Sequence, residues 1–441
     1  MLTRLGESRF TPKPVMMRDA GFPAPFRSVL EFGAPARGTW NIVHTGMLLP
    51  EAHQIFVCAQ GCLRGVVLTA AEMGASDRFS TVTIEEHNVL DGDMEDLLIE
   101  GVSDILRRLP KMPRAVLVYT SCIHHFMGSD LTLCYEELRR RFPGVAFTDC
   151  YMNPIMRKSG ITPDALMRKQ LYSLLEKRAQ REKTLLLLGN NLPLSLNADL
   201  RKYAEKAGWT LRQIHDCKSY DEYLSLAECS IALTAQLPAK PAGAEFAQVH
   251  DRTHLHLPLC YGAEEIRKNM TALCEAMGTK YDGDAEGEEK ALLALRKARE
   301  VIGDTPVTID YTVTPRPLSL ARLLLENGFR VTRIYADSFT AEEKEDHAWL
   351  RENCPDMEIW PTVAPEMRVA ERAYPEKTLA IGQKAAYFTA TPYFVNMVEG
   401  GGFYGFAGIA EMAREMQDAF LTEKDAPSLI GQKGLGCSCC L

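Results

Sequence analysis

Three cysteines in the first third of the chain could do metal chemistry: Cys58 and Cys62 in HQIFVCAQGCLRGV, and Cys122 in RAVLVYTSCIHHFMGSD. Thiolates are soft ligands, and an iron–sulfur cluster needs several that converge. Cys58 ends the apolar run HQIFVC, and Cys122 follows RAVLVYTS. Cys62 stands just before the helical run LRGVVLTAAE. Open parallel sheets bind ligands at the carboxyl ends of their strands. A cysteine at a helix N-terminus also has its thiolate favoured by the helix dipole. The spacing itself, C-x3-C and then a distant third cysteine, is no zinc-ribbon pattern. On spacing alone, three buried and inert thiols account for the pattern equally well. His124 and His125 read as polar lining with Asp130, because C-x-H-H offers poorer chelation than i,i+4 histidine pairs.

Apolar strand-like runs alternate with amphipathic helical runs from about residue 40 onward. Such alternation indicates parallel sheets covered on both faces by helices. A chain of 441 residues is too long for one ordinary core. The expected fold is therefore α/β, with three Rossmann-like domains whose mainly parallel sheets are flanked by helices. An N-terminal arm covers 1–35, and the domains cover 36–182, 183–300 and 301–420. Residues 421–441 form a tail carrying Cys437, Cys439 and Cys440. Those thiols could bind metal or exchange with disulfides, or be an unstructured, oxidation-prone end.

Net charge of −8 argues against nucleic acid as the main partner. No apolar run approaches the roughly 18 residues of a membrane span. The N-terminus lacks the apolar stretch of a signal peptide, so a cytoplasmic location is expected. Thiols stay reduced there, and the 13 cysteines need another account than disulfides.

The segments NIVHTGMLLPEAHQIFVCAQGCLRGV and VYTSCIHHFMGSDL, with EGGGFYGFAGIAEMAREM near the end, resemble the nitrogenase component 1 superfamily. That superfamily includes molybdenum–iron protein subunits, cofactor-assembly scaffolds and tetrapyrrole reductases. The resemblance implies that Cys62 and Cys122 each give a cluster thiolate. The family's usual upstream cysteine has no counterpart in residues 1–57, and Cys58 is the obvious replacement. The implied cofactor is an iron–sulfur cluster, either four-iron or of the eight-iron P-cluster kind. The implied partners are an ATP-dependent iron protein and a second subunit, identical or related. The chain has no G-x-x-x-x-G-K-[ST] phosphate loop of its own.

The resemblance also marks two departures. The cysteine and histidine that hold the family's molybdenum–iron cofactor fall at Thr234 and at about Val395. Neither can supply the expected soft ligand. Cys150, in FTDCYMNPIMRKSG, could line a cavity or fill the core. His254 and His256 alternate on one face of a strand, which favours a core or cavity edge over a ligand set. The G-x-G-x-x-G at Gly400, Gly402 and Gly405 lacks the strand that must follow it in a dinucleotide fold, so close packing at a helix start explains it. The expected function is an electron-accepting reductase subunit, an oxidoreductase handled anaerobically. An assembly scaffold and a cluster-free paralogue are the alternatives.

Overall fold

The computed structural model describes residues 12–27, 42–152, 161–368 and 370–425. Cys437, Cys439 and Cys440 lie outside the described residues, as do Met156, Arg157 and Lys158. Along the chain, β1 (Val15–Met16) precedes three groups of strands. The first is β2 (Ala52–Ala59), β3 (Phe79–Ile84), β4 (Ala115–Ser121) and β5 (Ala146–Met152). The second is β6 (Arg181–Leu187), β7 (Thr210–Gln213), β8 (Cys229–Thr234) and β9 (Thr253–His256). The third is β10 (Pro306–Asp310), β11 (Arg330–Tyr335), β12 (Glu358–Trp360), β13 (Leu379–Ile381) and β14 (Phe394–Val395).

The groups form sheets ordered β3-β2-β4-β5, β7-β6-β8-β9 and β1-β12-β11-β10-β13-β14. Among the described pairs only β1 and β12 run antiparallel. The fold is thus α/β with mainly parallel sheets flanked by helices. The first two sheets lie in one compact unit, Trp40–Pro193 with Gly208–Pro258. The third lies in the other, Met1–Thr39, Leu194–Ala207 and Leu259–Leu441. We keep 36–182, 183–300 and 301–420 as a proposed division, since each segment carries most of one sheet. Among the described residues no helix is long and apolar enough to cross a membrane.

Why β2 and β4 sit centrally is visible in their side chains. Successive strand residues point to opposite faces, and both strands are buried almost throughout. Ile55 and Val57 join Val116 and Val118 in one core, while Phe56 and Cys58 join Tyr119 and Cys150 in another. The rings of Phe56 and Tyr119 stack at 4.0 Å with 3° between their planes. The Tyr119 hydroxyl donates to the Ile42 carbonyl at 3.2 Å, fastening helix Ile42–Met47 to the sheet. That helix must carry glycine at 46: a Cβ there would stand 2.4 Å from the Tyr119 oxygen.

In the other unit, Glu343 accepts the Leu318 N–H at 2.8 Å and the Thr340 N–H at 3.1 Å, capping helix Pro317–Glu326 from outside. Burial raises its pKa from 4.5 to about 7, against the pull of those N–H groups. The folded protein therefore holds this proton more tightly than the unfolded chain. Stability from it is complete below pH 4.5 and is lost as pH rises through about 7. Across that window the wild type should lose about 3 kcal/mol that Glu343→Gln does not lose. Calorimetric Tm values at a series of pH values check this; parallel profiles for the two proteins would refute it.

Candidate metal centre

The strand order brings the three cysteines to one end of the first sheet. β2 and β4 are hydrogen-bonded neighbours, with Val57 opposite Thr120. Cys58 is the penultimate residue of β2, and Cys122 is the first residue of helix Cys122–Met127, directly after β4. Cys62 lies in the first turn of helix Gln60–Glu72, which leaves β2 at the same end. No side chain caps that helix at Ala59, so its first N–H groups stay available to a nearby anion.

The thiols differ in access: Cys58 is buried, Cys122 half-buried and Cys62 exposed. Burial pushes the Cys58 thiol up to about 12, and repulsion from Cys62 and Cys122 adds to the rise. Cys62 and Cys122 therefore each lie within electrostatic reach of Cys58. Positive charge placed among them would reverse that repulsion, which is the condition for thiolate ligation. Among the described residues no three His, Cys, Asp or Glu side chains converge on a point where one metal ion could sit. A four-iron cluster makes a looser demand, because each of its thiolates binds its own iron and they need not converge on one point. Soft thiols at one strand end are the donor type that an iron–sulfur cluster takes.

The remaining sequence candidates are placed differently. His124 is 2% exposed, and its Nδ1 accepts the Ser121 N–H at 3.2 Å. Burial lowers its pKa, so the ring is neutral with its proton on Nε2. That nitrogen meets no hydrogen-bond partner among the described residues. His125 is exposed beside Phe126. Asp130, also exposed, accepts the Leu133 N–H at 3.0 Å and so caps helix Leu131–Arg141. Cys150 is fully buried in the core that holds Tyr119.

Thr234 and Val395, the positions that the resemblance marks for a second cofactor, carry no thiol or imidazole. Thr234 is fully buried, and its hydroxyl lies 2.9 Å from His254 Nε2 and 3.0 Å from His256 Nδ1. Val395 is 1% exposed in β14 and has no side-chain donor. Alternation in the sequence placed the two histidines on one face but could not pair them with Thr234, because that contact depends on the register of β8 against β9.

Residues 44–421 match the family described as Nitrogenase component 1 type Oxidoreductase. Among solved structures, the one described as "Nitrogenase Cp1 at pH 6.5" superposes with a TM-score of 0.65 at 15% identity, covering 90% of this chain and 94% of that one. "Nitrogenase Cp1 at pH 5" gives 0.55 at 12% identity, covering 90% of each chain. At such identities the likeness speaks for the fold. No curated protein matches the chain in sequence.

Proposed function

Because the chain belongs to the family of nitrogenase component 1 type oxidoreductases, we propose that it is a reductase subunit that binds an iron–sulfur cluster through Cys58, Cys62 and Cys122. What supports this reading is the placement of the three cysteines at the carboxyl end of β2 and β4, with Cys62 and Cys122 each near enough to Cys58 to raise its pKa. Bound there, a four-iron or P-cluster-like eight-iron cluster would supply a one-electron carrier of low potential. The chain's own residues set the surroundings. Cys58 would bind from the buried side and Cys62 from the solvent side. The neutral ring of His124, on the same short helix as Cys122, adds no positive charge.

The electron donor in this reading is an ATP-dependent iron protein, since this chain carries no phosphate loop. A second subunit, identical or related, would complete the ligand set and cover the exposed side. Phe126 at 69% and Met127 at 44% exposure stand on the same short helix as Cys122 and offer apolar surface for it. The cell compartment is proposed to be the cytoplasm, where free thiols persist. A second reading, a scaffold on which a cluster is built and handed on, draws on the exposure of Cys62.

Anaerobic purification tests the proposal. The protein should be brown, with about four or eight irons per chain and matching acid-labile sulfide. Light scattering should give a mass at least twice the 49.2 kDa of one chain. A colourless, iron-free preparation would overturn the reading in favour of a cluster-free paralogue.

A further inference from the structure

The second sheet carries a constellation that cluster binding does not use. β8 ends at Thr234 and β9 at His256, and these two residues are paired across the strands, as are Ala232 and His254. His254 and His256 therefore share a face of β9. That face meets Thr234, whose Oγ1 lies 2.9 Å from His254 Nε2 and 3.0 Å from His256 Nδ1. Helix Lys240–His250 presses on the same group: a Cβ at Gly243 would stand 2.4 Å from His254 Nε2 and 2.7 Å from the Thr234 methyl. The glycine lets the helix backbone hold the ring against the hydroxyl.

A threonine hydroxyl has one proton to give and lone pairs to receive. When it gives the proton to one ring, the other ring must donate its own to the oxygen. The three groups then form a directional chain, N–H to O–H to N. Burial, with repulsion from His256 and Lys240, keeps the His254 pKa below the ordinary imidazole range. His254 thus rests as a neutral ring that can take up an added proton. His254 is half-buried, Thr234 fully buried, and His256 closes the strand at the edge where parallel sheets bind ligands.

We propose that His254, Thr234 and His256 form a proton relay serving a ligand at the carboxyl edge of β8 and β9, one that takes up protons along with electrons. The ligand class rests on the reductase reading above; the relay itself does not. One proton enters at His254 Nδ1. The Nε2 proton passes to Thr234 Oγ1, the hydroxyl proton passes to His256 Nδ1, and His256 releases one proton from Nε2. Only N–H and O–H bonds change, and one proton enters for each that leaves. In place of a soft metal ligand, the fold puts a proton-handling group at this strand end.

Nitrogen-15 labelling of the histidines in the full chain tests the relay by nuclear magnetic resonance. In the wild type the two bonded nitrogens should be oppositely protonated, one bearing hydrogen and one bare, or exchange-averaged between those states. Thr234→Val should slow exchange of the His256 ring proton with solvent by about 10²-fold, the scale of a lost acid–base group. Thr234→Ser should restore the wild-type rate, which a purely structural role for the hydroxyl would not require. His254→Phe should slow the same exchange and serves if the valine variant does not fold. Both bonded nitrogens protonated in the wild type, or unchanged exchange in folded Thr234→Val or His254→Phe, would overturn the relay. An iron-free wild type would sink the reductase reading alone, because the exchange rates support or overturn the relay whether or not iron is bound.

Discussion

Cys122→Ala should lose most of its iron and visible absorption when purified anaerobically beside the wild type. Changes outside the ligand shell of a metal typically cost 10–100-fold in affinity, so loss of a ligand should cost more than about 10²-fold. Cys122 is half-buried at a helix start, so alanine there removes the sulfur without opening a deep cavity. Cys58→Ala is a harsher change, because Cys58 also packs in the core with Phe56 and Tyr119. Cys62→Ala should behave as Cys122→Ala does, since Cys62 is exposed and packs against little. Cys134→Ala is the control: that thiol is buried in the opposite core of the same sheet, and the variant should keep its iron. Full iron retention by Cys122→Ala would remove this cysteine from the ligand set.

The parts of this fold that were legible in the sequence are those with a strong local pattern. β2 and β4 read as strands because parallel strands buried on both faces are continuous apolar runs. The pairing of β1 with β12, and the short β13 and β14, carried no such signal, since two or three residues show no period. The site divides in the same way. That Cys58 and Cys122 lie within a residue of strand ends could be read locally; that those strands are neighbours depends on the order β3-β2-β4-β5, which no local pattern encodes. Asp130 read as loop lining, yet the helix it caps begins at the next residue. The Thr234 contact was hidden for a related reason. Its partners lie 20 and 22 residues away, and only the β8–β9 register brings them together.

The most direct test of the central claim is electron delivery. The iron-loaded chain is mixed anaerobically with the reduced ATP-dependent iron protein from the same source, and visible absorption is followed with and without MgATP. The account predicts that electrons pass to this chain only with ATP, at a rate at least about 10²-fold above the ATP-free mixture, equivalent to nearly 3 kcal/mol of barrier. Cys122→Ala should accept none. A wild-type chain that carries its full iron, yet stays oxidised while the iron protein hydrolyses ATP beside it, would contradict the reductase assignment.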